Sequence, residues 1–261
     1  MNATSIITPI VLAAGLVATP SLAAERAVEV SDDGRLTVDA RIAADTSGSS
    51  ARGDAVPYPL TPDWENNIRR QVGGLQVADM NGDGWNDVIV GCYSSSSYPP
   101  YEHWNNYIYY NTGGELEASP SWTSDDEVST GDVQVGDING DGHLDIFSAN
   151  GGFAMADSVI YYGGPGGPDT SPDWSSNEPN NAWNNYAILF DFDQDGDTDV
   201  FTANQGNSPD DPTRPMYGFI NNNGSLATVP SWQSAESSLQ NFLAFGDYDG
   251  DGWADLAVSK W

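Results

Sequence analysis

Four short segments of the 261-residue chain place oxygen-bearing side chains at matching intervals. They are Asp79, Asn81, Asp83 and Asp87; Asp137, Asn139, Asp141 and Asp145; Asp191, Asp193, Asp195 and Asp199; and Asp247, Asp249, Asp251 and Asp255. Counted from the first aspartate, each segment offers ligands at positions 1, 3, 5 and 9. Glycine fills position 6 every time (Gly84, Gly142, Gly196, Gly252). Alternate residues of a tight loop can face one centre, and glycine permits the sharp turn. Position 7, held by Trp85, His143, Asp197 and Trp253, can add a backbone carbonyl. Calcium wants six to eight hard oxygens at flexible geometry, so the pattern predicts Ca2+, about four ions, one per loop.

Other ions fit less well. Magnesium prefers a few carboxylates and keeps its waters. Zinc wants Cys or His side chains, and here none takes a side-chain ligand position. An EF-hand would carry a bidentate Glu at position 12 and run into a helix. Position 12 here is Val90, Ser148, Thr202 or Val258, and each exit reads as strand. One Asp-Gly turn needs no metal; four in phase are a strong signal. Asp191, Asp193, Asp195, Asp197 and Asp199 crowd one loop, and without a cation they repel one another.

The elements that position these loops repeat with them. The first aspartates, at 79, 137, 191 and 247, are separated by 58, 54 and 56 residues. That period suits a blade of four short strands. A Pro-x-Trp precedes each loop: Pro62/Trp64, Pro120/Trp122, Pro172/Trp174 and Pro230/Trp232. Aromatic runs lie between (Tyr107–Tyr110, Val159–Tyr162, Tyr217–Ile220), followed by Gly113-Gly114, Gly163-Gly164 and Asn223-Gly224, which read as hairpin turns. Strand A enters the loop (Leu75–Val77, Phe242–Phe245) and strand B leaves it (Asp87–Gly91, Asp199–Thr202). Strand C is the aromatic run, and strand D ends at Pro-x-Trp, an outer edge where a missing N–H is harmless. Strand B is apolar at successive positions, as a strand covered on both faces should be. The repeated Trp residues read as inter-blade packing, with a sugar-stacking platform as the functional alternative.

These residues resemble the FG-GAP (VCBS-type) repeat family, known from integrin α-subunit propellers and many secreted bacterial proteins. Phe245-Gly246, followed by Asp247, Asp249, Asp251 and Asp255, matches best; the other three segments keep the Asp/Asn pattern without the Phe-Gly pair. The resemblance spans roughly residues 60–261. It implies an all-β chain, a β-propeller of about four blades of four-stranded antiparallel sheet, with calcium between the first two strands of each blade. It also implies adhesion or recognition, or a part appended to an enzyme. Closed propellers of the family usually have seven blades, so a partial or truncated propeller is one expectation. The other is that Tyr58–Trp64, as a strand D, completes the last blade with the hairpin-like Val28–Ala40. The predicted organisation is a signal peptide over 1–24, an N-terminal hairpin and linker over 25–56, and propeller repeats over 57–261.

Composition bounds the function. Eight Lys and Arg face 38 Asp and Glu, a formal net charge of −30, which repels nucleic acid and anionic membranes. The apolar run Ile6–Ala18, followed by Pro20–Ala24 and Glu25, reads as a secretory signal with cleavage near Ala23 or Ala24. A secreted, extracellular or periplasmic protein with no membrane span after cleavage is therefore expected. Cys92 is the single cysteine, so no intrachain disulfide can form.

The first functional reading is a non-enzymatic interaction or adhesion module for a protein or glycan, with structural calcium. Its binding face would lie opposite the metal loops. There Tyr93, Tyr98, Tyr101, Trp104 and Asn105, and Asn180, Asn181, Trp183 and Asn184, mix aromatic and amide groups; ordinary loop composition is the plainer account of them. The alternative is a carbohydrate-active propeller enzyme, or the non-catalytic part of one. No Gly-x-Ser-x-Gly turn or Ser/His/Asp order is present. Basic groups of the repeats are confined to Arg69, Arg70, Arg214, Lys260, His103 and His143. A carboxylate pair near Arg69 and Arg70, from Glu65 or Glu102, is the place an enzyme would show itself.

Overall fold

A computed structural model describes residues 25–30, 36–42, 64–66, 70–94, 104–151, 156–179, 183–205, 215–235 and 239–260. The predicted signal segment and residues 31–35, the tip of the hairpin-like Val28–Ala40, lie outside them. The chain forms two compact units, which meet in sequence at Arg69/Arg70.

In the first unit, β1 (Glu25–Val30) and β2 (Leu36–Ile42) pair antiparallel, and β3 (Trp64–Glu65) pairs with β2. Val38 stands opposite Trp64 and Thr37 opposite Glu65.

The second unit holds the repeats. Blade 1 is β4 (Val72–Ala78), β5 (Asp87–Cys92), β6 (Tyr107–Tyr109) and β9 (Trp122–Thr123), with a small hairpin of β7 (Asn111–Thr112) and β8 (Glu115–Leu116) before β9. Blade 2 is β10 (Thr130–Gly136), β11 (Asp145–Asn150), β12 (Val159–Tyr161) and β13 (Trp174–Ser175). Blade 3 is β14 (Asn184–Phe190), β15 (Asp199–Asn204), β16 (Tyr217–Phe219) and β17 (Trp232–Gln233). Blade 4 contributes β18 (Gln240–Gly246) and β19 (Asp255–Lys260). All pairings within the blades are antiparallel and follow chain order. The all-β propeller architecture expected from the repeats is the one observed.

First strands lie side by side, β4 on β10, β10 on β14 and β14 on β18. Glycine makes the closest of these approaches possible. A Cβ on Gly73 would sit 2.1 Å from the Thr130 carbonyl oxygen, and one on Gly74 2.3 Å from the Val133 nitrogen, both inside any real contact. The cores are layers between blades. Ile89, Ile108 and Trp122 meet Val133, Ile146 and Tyr161. Phe147 and Trp174 meet Val200, Tyr217 and Phe219. Ile188, Phe190 and Phe201 meet Leu243. This explains the apolar runs of the B strands: β5, β11 and β15 are buried at all six positions, and β11 and β15 turn one face to each of two neighbouring blades. Each fully buried Phe or Ile adds about 1.5–3 kcal/mol of burial free energy.

Strand D departs from expectation. It begins at the Trp instead of ending there, and Pro120, Pro172 and Pro230 lie outside the ladder. The reason is the missing proline N–H. The residue just after the proline makes the first bond instead, as Asp173 N–H donates to the Ile160 carbonyl and Ser231 N–H to that of Gly218. The Trp residues serve packing. The Trp122 indole N–H donates to the Pro168 carbonyl of the next blade (2.9 Å), and that of Trp174 to Leu226 (3.0 Å). Trp174 also meets Phe219 edge-on at 5.5 Å. A sugar platform is therefore not available at Trp122 or Trp174.

Candidate metal centre

Each Asp-rich segment connects strand A to strand B, and its backbone winds around its own first carboxylate. In loop 1, Asp79 Oδ1 accepts the N–H groups of Gly82 (2.9 Å) and Asp83 (3.1 Å), and Oδ2 accepts that of Gly84 (2.8 Å). Asn81 accepts the Asp83 N–H and Asp83 accepts that of Trp85. Loop 2 repeats this set around Asp137, with Asn139 and Asp141 in the second and third places and His143 donating at position 7. In loop 3 Asp191 accepts from Asp195 and Gly196, and Asp195 from Asp197. In loop 4 Asp247 accepts from Gly250 and Gly252, Asp249 from Asp251, and Asp251 from Trp253. The turn needs positive φ at positions 4 and 6, which glycine supplies except at Gln194 (φ 62°).

Position 9 behaves differently from the others. Asp87, Asp145 and Asp199 are fully buried. Each clamps two elements. Asp87 takes the N–H groups of Met80 and Asn111, Asp145 those of Ile138, Asn139 and Gly163, and Asp199 those of Phe192 and Asn221. Burial pushes the Asp87 carboxyl up to about 6 against those bonds, with Asp83 and Asp79 adding to the rise. Asp145 and Asp199 are raised for the same leading reason. Among the described residues no strand pairs with β19 as a strand C, and Asp255 is exposed, accepting from Tyr248.

Carboxylate oxygens converge in two loops. Those of Asp191, Asp193 and Asp195 lie within 4.8 Å of one another, as do those of Asp247, Asp249 and Asp255. Among the described residues no other three His, Cys, Asp or Glu groups meet this way. Loops 1 and 2 carry Asn81 and Asn139 at position 3, and the Asn139 amide is turned toward Asp141, donating at 3.1 Å. Asp197 is tied to the hairpin after strand C, accepting from Asn223 N–H. The donor chemistry is all hard oxygen, which fits Ca2+ and not zinc.

Sequence reasoning passed over the donors at the exit of strand C: Asn111, Gly163 and Asn221. The turn residues after each aromatic run were visible, but their backbone role toward position 9 has no side-chain signature. The turns themselves vary. Gly113 and Gly114 (φ 66° and 99°) and Asn223 and Gly224 (φ 52° and 76°) are left-handed pairs, as two-residue hairpins require. In blade 2 the left-handed residue is Gly167 instead.

The aromatic and amide residues proposed for the opposite face are in part structural. Asn184 is buried, donating to Ser158 and to both Glu178 oxygens. Trp183 is buried as well, and Asn105 holds the Ser124 carbonyl. Arg70 stacks on Trp104, its guanidinium carbon 3.8 Å from the ring centroid. Tyr98, Tyr101, Asn180 and Asn181 lie outside the described residues, as do Arg69, Glu102, His103 and Arg214. Cys92 is buried and free, its thiol pushed up to about 12 by burial. Among the described residues no helix is long and apolar enough to cross a membrane.

Comparison with known proteins follows the loops. Integrin alpha-6 of Gallus gallus is 32% identical over 108 residues, covering 38% of this chain and 10% of that protein. The chain thus spans about a tenth of that relative's length. Among solved structures, BBS1N in complex with ARL6DN aligns over 75% of this chain and 62% of that one, at 13% identity and a TM-score of 0.40. The V. cholerae biofilm matrix protein Bap1 aligns over 73% and 35%, at 18% identity and a TM-score of 0.34. The model of the FG-GAP-like repeat matches residues 79–148 and 191–258, which begin at the first aspartates of loops 1 and 3 and together take in all four loops. With more than half of its length so matched, the chain belongs to the FG-GAP-like repeat family.

Proposed function

We propose that this is a secreted protein whose four loops bind calcium structurally, and whose blades act as an extracellular interaction or adhesion module for a protein or glycan. The observation that carries the reading is the convergence of three carboxylates in each of loops 3 and 4, on loops whose backbone donors already hold the first carboxylate in place. Like charges brought so close disfavour the empty loop, and a divalent cation reverses the sign of that interaction. The sequence similarity to an integrin alpha chain, together with the signal-like segment over 1–24, supports an extracellular setting.

The module reading, as against an enzyme, rests on the sequence, in which the repeats hold six basic side chains and no Gly-x-Ser-x-Gly turn. Buried Trp183 and Asn184 narrow the surface left for a ligand on the face opposite the loops. Thermal melts with excess calcium and with chelator test the metal claim. A cation at 100 times its dissociation constant adds about 2.7 kcal/mol per site, so the melting temperature rises by several degrees. Identical melts would refute it. A glycan array then separates binding without turnover from hydrolysis.

A further inference from the structure

Gln194 is the residue the loop pattern does not explain. Position 4 is glycine in the other three loops, at φ 74°, 75° and 78°, and Gln194 adopts φ 62° in their place. A side chain there is strained, so something must hold it. What holds it is loop 4: the Gln194 amide donates to the Gly252 carbonyl at 2.6 Å. Gly252 is position 6 of the neighbouring loop. Its own N–H is on Asp247, and the N–H of the next residue, Trp253, is on Asp251. The peptide joining Gly252 to Trp253 is therefore gripped from both sides, its oxygen by loop 3 and its N–H by loop 4. Trp253 is position 7, where the loop offers a backbone carbonyl. At the corresponding places in loops 1 and 2, Gly82 and Gly140 have no side chain to reach across.

We infer that Gln194 is a positioning residue that couples cation binding in loop 3 to cation binding in loop 4. The inference rests on the calcium reading above. A cation in loop 3 fixes the backbone around Gln194 and so the amide. The fixed amide holds the Gly252–Trp253 peptide in the shape loop 4 needs for its own ion. Coupling of this kind is reciprocal, so occupancy of loop 4 strengthens loop 3 by the same factor. Loops 1 and 2 bind without this link.

The test is a terbium titration of the full chain carrying Trp85→Phe, so that Trp253 sensitises the emission at loop 4. Loss of emission in Asp249→Asn/Asp251→Asn assigns the signal to that loop. Gln194→Gly relieves the backbone and removes the amide; Gln194→Asn tolerates the left-handed backbone but is too short to reach. Both are expected to raise the terbium midpoint of loop 4 by about two- to tenfold, the range one hydrogen bond of ordinary net strength gives. Asp193→Asn/Asp195→Asn, which empties loop 3, raises it similarly, and Gln194→Gly then adds nothing more. A midpoint that moves less than about twofold in both Gln194 variants overturns the coupling while leaving calcium binding intact. No sensitised emission from the Trp85→Phe chain itself would sink the calcium reading and the coupling with it.

Discussion

Loop 2 and loop 4 share the sequence pattern Asp-x-Asp/Asn-Gly-Asp-Gly-x-x-Asp, yet their ninth residues do different work. Asp145 is wholly buried, with both oxygens on backbone N–H groups, one of them from Gly163 at the exit of strand C. Asp255 is exposed, has no strand C beside it among the described residues, and joins Asp247 and Asp249 in a cluster of converging oxygens. The same side chain is thus a buried clamp beside strand C in blade 2, and in loop 4 an exposed member of a carboxylate cluster that holds one backbone N–H, that of Tyr248. The junctions differ in the same sense. Between blades 2 and 3 the B strands are sealed, whereas Phe242 of blade 4 is 59% exposed and β19 is exposed at alternate positions.

The largest effect is expected at the sealed junction. Trp174→Ala removes a buried indole, its bond to Leu226 and its edge contact with Phe219, and should cost about 3–5 kcal/mol in denaturant unfolding. Trp232→Ala, at the open junction where Trp232 is only half-buried, should cost clearly less. Equal losses would mean that the two junctions are packed alike.

The two ninth residues come next. In calcium-free buffer, Asp145→Ala strands three backbone donors and should cost on the order of 3 kcal/mol. Asp255→Ala frees one exposed donor and should cost under about 1 kcal/mol. Urea midpoints measured side by side decide this.

A smaller difference between the junctions depends on pH. The junction of blades 2 and 3 contains two buried carboxyls, Asp132, bonded to Ala187 N–H across the blades, and Glu178, bonded to Asn184. Burial pushes each up to about 7, above the ordinary 3.8 and 4.5. The folded chain therefore holds protons the unfolded chain releases. Their contribution to stability is full below about pH 4 and is lost as pH rises toward 7. Melts across that window should fall, and Asp132→Asn should flatten the slope by at least about 1 kcal/mol, the worth of one pKa unit. An unchanged slope would remove Asp132 from the account. The next junction places Tyr186 where blade 2 has Asp132, paired with Phe242 at 5.4 Å.

Much of this was legible in the sequence because it repeats. The loop residues, the strands they join and the inter-blade role of Trp122 and Trp174 follow from phase alone, since one physical need recurs at one spacing. Three things were not legible. The dual use of position 9 depends on whether a backbone N–H from strand C reaches it, and Asp145 and Asp255 look alike in sequence. The place of proline, ahead of strand D, depends on which residue donates first. Asn184 reads as a polar surface group and is buried, because Ser158 and Glu178 supply the partners that make its burial tolerable.

The carboxylate clusters are proposed as cages for a hard divalent ion. Equilibrium dialysis against calcium at neutral pH, with bound metal counted per chain, decides whether they are. About four ions per chain are expected, those of loops 3 and 4 retained to lower free calcium because their ligand sets carry more charge. A chain that retains no calcium at millimolar free ion would contradict that expectation.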